Sequence, residues 1–236
     1  NYAMDAAPGE WQLTDYVRKG IELLDNSNGF FMMVESGKID WACHANDAAA
    51  SIHDVIEMHN AVQAAVEFYA QHPDDTLILV TADHETGGLG IGYKTTNYDT
   101  FLTNLAHQKM SYAKFDSTYV NNYVKNQTPF ETAMQDVKAN FGLTLPTDPD
   151  AANAGKLLLT DYEVENLRTA YERTLEGTGE WRREHRRLCD VQNQAEDRRR
   201  AYVLGTAGRS AHERGRGCRL QPGRRAGSGR PGGAHR

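Results

Sequence analysis

A chain of 236 residues can bury one sizeable core or two small ones, and its 39% hydrophobic share suits a globular protein. No run reaches the roughly 20 apolar residues of a membrane-spanning helix. The start, Asn1-Tyr2-Ala3-Met4-Asp5, lacks the basic and apolar regions of a secretory leader, so the chain reads either as cytoplasmic or as one whose true N-terminus lies upstream.

The formal charge of −6 conceals two opposed parts. From residue 176 onward 15 arginines face 7 acids, giving +8, whereas the rest holds 11 basic and 25 acidic residues, giving −14. Cys43, Cys189 and Cys218 are too widely spaced for a disulfide framework or a zinc finger.

In chain order, residues 11 to 26 read as a helix running into the turn Asp25-Asn26-Ser27-Asn28-Gly29. Phe30-Phe31-Met32-Met33-Val34 is a short continuous apolar run, expected to be a strand buried on both faces. From about Asn46 the period becomes helical: Ala48, Ile52, Val55, Ile56, Val62, Ala65, Val66 and Tyr69 make one apolar stripe, stopped at His72-Pro73-Asp74-Asp75. Leu77-Ile78-Leu79-Val80 is a second strand-like run. Strand, long helix and strand compose a right-handed parallel βαβ unit, and hence an α/β fold with a mostly parallel central sheet flanked by helices.

Residues 95 to 175 are more polar and carry helical patterns. Phe130, Ala133, Met134, Val137 and Phe141 share one stripe, and Thr160 with Glu163 forms a capping box opening a helix through Val164, Leu167 and Tyr171. Three parts follow: residues 1–94 as part of the α/β core, 95–175 as a helical accessory segment, and 176–236 as an Arg/Gly-rich tail with no apolar period and no means of building a core. The tail reads as disordered, or as the product of a reading frame that shifts near residues 175 to 180. As a nucleic-acid arm it lacks lysine and interleaved aromatics for stacking, so no nucleic-acid partner is expected.

The chemistry gathers where the two apolar runs end. Glu35 follows the first run directly; Asp40 and His44, four apart, face the same way on a helical turn; Asp83 and His84 follow the second run. In parallel α/β sheets ligands bind beyond the carboxyl ends of strands, so all five open onto one crevice. Carboxylate paired with imidazole suits zinc, and an all-oxygen donor set suits magnesium. Asp40 with His44 could hold one zinc, Asp83 with His84 another, and Glu35 a harder ion. Paired metals roughly 3.5–4 Å apart support phosphoryl transfer. The bland alternative is that Asp40 and His44 form an ordinary surface pair or cap. Other features carry less. His53 and His59 read as ordinary helix histidines, Cys43 as a small core residue, and Gly88-Leu89-Gly90-Ile91-Gly92 as no dinucleotide loop. Asn126-Gln127-Thr128 matches the glycosylation sequon, a short pattern that recurs by chance.

Val34-Glu35-Ser36-Gly37-Lys38-Ile39-Asp40-Trp41-Ala42-Cys43-His44-Ala45-Asn46-Asp47 resembles the ligand motif of the bacterial alkaline phosphatases. Thr81-Ala82-Asp83-His84-Glu85-Thr86-Gly87-Gly88 resembles that family's second-zinc motif. The resemblance is close over residues 10 to 95 and looser over 95 to 175. It implies an alkaline phosphatase-like α/β sandwich, here incomplete: the C-terminal part of a phosphomonoesterase with two zinc ions and one magnesium. Glu35 would bind magnesium, Asp40 and His44 the first zinc, and Asp83 and His84 the second. The substrates would be small phosphate monoesters, hydrolysed through a phosphoserine. The parent would be periplasmic or secreted, and family members commonly form homodimers.

The same resemblance marks departures. The family's nucleophilic serine, its phosphate-clamping arginine and the aspartate shared by zinc and magnesium have no counterpart here. No catalytic residue or organic cofactor site is therefore assigned, and the chain alone is expected to be inactive. The family's third ligand of the first zinc is a histidine in a His-Thr-Gly-like segment, which His185, His212 and His235 do not match. A related two-metal phosphodiesterase or phosphonate hydrolase, or a non-catalytic metal-binding fragment, are the alternatives.

Overall fold

The structure is a computed structural model in which residues 1–85 and 102–177 are described. The Arg/Gly-rich tail, His185, His212, His235 and the glycine run at residues 88–92 lie outside these residues.

Helix α1 (Leu13–Leu24) opens where the Gln12 N–H donates to the Asp15 carboxylate at 2.9 Å, an acidic partner in the first turn. Leu13, Val17 and Ile21 recur at steps of four and pack against Ala61 and Ala64 of α3 (Ala48–Tyr69). Thr14 fixes the alignment of the two helices: its N–H and hydroxyl both donate to Glu57, at 2.8 and 2.7 Å. Between them lies the short helix α2 (Gly37–His44).

The long helix departs from its predicted orientation. Its buried face is made of small residues, Ala49, Ala50, Ser51, Ala61 and Ala64, with Asp54 among them. The larger members of the apolar stripe face outward, with Ile56 51%, Val55 49%, Ile52 42% and Tyr69 42% exposed. The physical reason is that the sequence offers two faces at helical spacing. The alanine face lets the α1 and α2 backbones approach closely, leaving the branched face on the far side.

The two predicted strands are extended segments without ladder partners. Among the described residues there is no strand, and the isolated bridge between Thr144 and Leu158 is parallel. Side chains nevertheless alternate as on a pleat. Met32 and Val34 pack on the Val17–Ala61–Ala64 cluster, whereas Phe31 and Met33 are 88% and 78% exposed. Leu77 and Leu79 stand out at 82% and 81%, flanking a half-buried Ile78. The first run therefore has strand periodicity and one helix-covered face, and among the described residues neither run has a ladder partner.

The remainder is helical, as predicted. Helix α4 (Tyr112–Phe115) continues through a π-helical turn, Asp116–Val120, into α5 (Asn121–Asn126). Helices α6 (Phe130–Phe141) and α7 (Asp161–Leu175) complete the group. Phe130, Ala133, Met134, Val137 and Phe141 are all buried, in one cluster with Phe115, Tyr123, Leu143, Leu145, Leu157, Leu159 and Leu167. Phe115 meets Phe141 edge-on at 5.2 Å, and Tyr171 meets Phe130 at 5.7 Å. Each such pair is worth about 0.5–1.5 kcal/mol beyond area burial. Helix α6 stops at Gly142, whose φ of +79° is left-handed and whose Cβ, if present, would lie 2.8 Å from that of His107. The predicted capping box opens α7: Thr160 N–H donates to Glu163 Oε2 at 2.7 Å, and Glu163 N–H returns to Thr160 Oγ at 3.3 Å.

Candidate metal centre

Helix α2 is short, and its exit is built with care. Asn46 is left-handed at φ +55°; its N–H donates to Cys43 O at 3.0 Å, and the Asp47 N–H donates to Ala42 O at 2.9 Å. These two bonds form a Schellman motif in which His44 is the last fully helical residue. Asp47 at once begins the next helix. Its carboxylate, with no exposure, accepts from the Ala50 N–H at 3.0 Å as N-cap of α3. The direction of the His44 side chain is thus set by a joint that has no spacer between helices.

On the solvent side of that joint, His44 Nε2 lies 3.5 Å from Asp40 Oδ1 across one turn, as i and i+4 spacing requires. Asp40 Oδ1 is buried and accepts no hydrogen bond. A buried carboxylate oxygen is normally satisfied, so this one points to a cationic partner. Two donors sharing a tetrahedral zinc at its usual bond lengths stand roughly 3.3–3.4 Å apart, and the observed separation fits that bite.

The second pair repeats the arrangement. Asp83 Oδ2 is 3.2 Å from His84 Nε2, and both side chains are mostly exposed. The other ring nitrogen, Nδ1, lies 2.9 Å from the Glu85 carbonyl oxygen. A carbonyl can only accept, so Nδ1 carries a proton, and Nε2 is the nitrogen that faces Asp83. This is the way ligand histidines are commonly held, by a bond at the nitrogen away from the metal. The His84 pKa is raised, first by that backbone bond, then by the Asp83 carboxylate and also by Asp40. The Asp83 carboxyl is lowered, chiefly by the hydrogen bond from the His84 N–H at 2.8 Å.

Glu35 is exposed just before α2, with its carboxylate folded over Gly37: a Cβ there would meet Oε1 at 3.2 Å. The structure thus brings Asp40 to His44 and Asp83 to His84, with Glu35 lying over Gly37. Among the described residues no three His, Cys, Asp or Glu side chains converge on one point. His53 and His59 are exposed on α3. Cys43 is half-buried, with its sulfur 3.2 Å from Ser51 Oγ, so it turns toward α3.

Sequence reasoning overlooked the support around Asp47. Gln108 Nε2 donates to Asp47 Oδ1 at 2.7 Å and the Tyr112 N–H to Oδ2 at 2.8 Å. Beside them the Ser111 N–H donates to Asp5 at 3.0 Å, and the Ser111 hydroxyl donates to the same carboxylate. Burial pushes the Asp47 carboxyl above its ordinary range, against the lowering effect of its donors. The N-cap role was available in the sequence, since Asp47 directly precedes a helical period. The contact with Gln108, 61 residues away, had no local signal.

The family model for alkaline phosphatase matches residues 3–143, more than half of the chain. Among similar proteins, alkaline phosphatase 4 of Bacillus subtilis (strain 168) is 42% identical over 91 residues, covering 38% of this chain and 20% of that protein. Alkaline phosphatase 4 of Drosophila melanogaster is 39% identical over 111 residues, 46% of this chain and 18% of the other. The alkaline phosphatase of Escherichia coli (strain K12) is 43% identical over 81 residues, 34% and 16%. The chain thus spans about a fifth or less of the length of these relatives. No solved structure matches it. The matched span takes in both carboxylate–imidazole pairs and the α2–α3 joint between them, and on that match the chain belongs to the alkaline phosphatase family.

Proposed function

We propose that this chain supplies the metal-gripping part of a phosphomonoesterase acting on small phosphate monoesters. The observation that carries the reading is the buried, unsatisfied Asp40 Oδ1 facing His44 Nε2 at 3.5 Å. In this reading Asp40 and His44 hold one zinc, Asp83 and His84 a second, and Glu35 a magnesium. The donor types fit those ions, because imidazole with carboxylate suits zinc and a carboxylate alone suits a hard cation. When bound, the metal pair would supply electrostatic stabilisation of the attacking and leaving oxygens of phosphoryl transfer.

The chain's own residues do the holding. The Schellman joint aims His44, the Glu85 carbonyl keeps a proton on His84 Nδ1, and Asp40 and Asp83 present carboxylate oxygens to the paired imidazoles. The extended runs at residues 30–34 and 77–80 would be strands of a parallel sheet in the family's complete α/β architecture, which sets both pairs at strand ends. The resemblance gives this chain no counterpart of the nucleophilic serine. The reaction through a phosphoserine therefore belongs to the whole enzyme, and the chain alone is expected to be inactive. The names of the relatives support the phosphatase class, and an extracytoplasmic site and a homodimeric parent are part of the same proposal.

Titration calorimetry of the chain with zinc tests the assignment. The expected result is a loss of one zinc, or a weakened affinity for it, in each of Asp40→Asn and Asp83→Asn. Equal affinity in wild type and both variants would leave each pair as an ordinary imidazolium–carboxylate contact, whose exposed form is worth little.

A further inference from the structure

We infer that Asp47 is a positioning residue through which the distant segment Gln108–Tyr112 sets the aim of His44; this rests on the reading of His44 as a metal ligand. The start of α3 and a segment more than 60 positions downstream meet at one carboxylate. The Ala50 N–H, Gln108 Nε2 and the Tyr112 N–H all donate to it, at 3.0, 2.7 and 2.8 Å. Its backbone closes the last turn of α2 through the bond from the Asp47 N–H to Ala42 O. Asp47 therefore joins the helix that carries His44, the helix that follows, and a segment more than 60 positions downstream.

The surroundings reinforce the joint. Gln108 is itself 8% exposed, and its amide also donates to Met110 O at 2.9 Å, so it has no freedom to follow a displaced Asp47. Ser111 is fully buried and doubly bonded to Asp5. The Tyr2 and Tyr112 hydroxyls lie 3.2 Å apart, with the Lys38 ammonium of α2 5.0 Å from the Tyr2 ring centroid. These groups act at a distance from the His44 ring, which pairs with Asp40, through the Asp47 N–H bond to Ala42 O that closes the helix carrying it. His44 is the last fully helical residue before Ala45 and the left-handed Asn46, so loosening the joint frays the turn of α2 from which the imidazole projects beside Asp40. Outer-shell partners of metal ligands typically cost 10–100-fold in affinity when removed.

The test uses the full chain in three variants. Asp47→Asn keeps the shape but turns an amide donor onto existing donors. Gln108→Ala removes one remote donor and carries the test alone if the first variant fails to fold. Thr160→Ala removes the α7 cap within the other helical cluster and serves as a control of stability alone. Zinc affinity is measured by calorimetry, the His44 ring nitrogen shifts by NMR without metal, and Tm throughout. Expected are a roughly 10–100-fold weaker zinc affinity in Asp47→Asn, a smaller loss in Gln108→Ala, and a moved His44 resonance in both. Thr160→Ala should lower Tm without moving either reading. The inference is overturned if Asp47→Asn and Gln108→Ala lower Tm yet leave affinity and His44 shifts as in wild type. If wild type binds no zinc, the metal assignment fails by itself, and the His44 shifts alone decide: unmoved in both variants, they overturn the inference.

Discussion

Asp54 is 5% exposed on α3, where its carboxylate accepts from the Ala3 N–H across a long 3.3 Å contact. Burial raises its pKa above the ordinary 3.8, against the lowering effects of that N–H and of Lys38. The folded state therefore binds this proton more tightly than the unfolded one. Its contribution to stability is greatest at acid pH and is lost as pH rises through the raised value. Asp54→Asn, which does not titrate, should gain stability relative to wild type as pH rises from 3.8 toward neutrality; urea midpoints across that range would show it, and parallel curves would refute it. At Gly142 the cause is conformational. Its φ of +79° and the 2.8 Å approach of a would-be Cβ to His107 make Gly142→Ala destabilising by roughly 1–3 kcal/mol, measurable by the same titration at one pH. At this scale the sequence spoke clearly about donor types at Glu35, Asp40, His44, Asp83 and His84. It was silent about Asn46, whose backbone angle is what turns one helix into the next.

The elements differ in how far they rest on their own patterns. Helix α6 is the clearest: its predicted stripe is its buried face, with Phe141 1% exposed and edge-on to Phe115. Phe141→Ala should cost about 3–5 kcal/mol, lowering the urea midpoint with little change in slope. The α7 capping box was equally plain, since Thr160 and Glu163 stand three apart ahead of an apolar run. Thr160→Ala should cost about 1 kcal/mol, seen as a modest drop in Tm. Helix α3 was legible in extent and misread in orientation. Periodicity locates faces and cannot rank two apolar faces against each other; the close approach of α1 and α2 selects alanine over isoleucine and valine. For the run at 30–34 the alternation of exposure matches strand geometry, while at 77–80 it fails at Val80, and pairing depends on neighbours that local sequence does not name.

Among the described residues, many large apolar side chains are exposed: Phe31, Met33, Leu77, Leu79 and Val80 from the two apolar runs, and Ile52, Val55 and Ile56 from the outward face of α3. Exposed apolar segments with free backbone groups invite association. Leu79→Lys should reduce binding of a hydrophobic dye and self-association in light scattering. Because Leu79 is 81% exposed, stability should change by no more than about 0.5 kcal/mol. A large fall in Tm would show that Leu79 is covered in solution.

The joint between α2 and α3 has one more consequence, for chain length. Asp47 closes the first helix with its N–H and opens the second with its carboxylate, so the two frames share a residue and have no slack between them. One residue inserted after Asn46 would advance everything downstream by about 100° of helical turn, pulling the cap away from Ala50 or the N–H away from Ala42. The stretch from residue 146 to 156, with its two brief 3-10 turns, can absorb such a change in its loops. Tolerance to insertion should therefore be lowest beside His44, where the backbone works as a fixed gauge between ligand and scaffold.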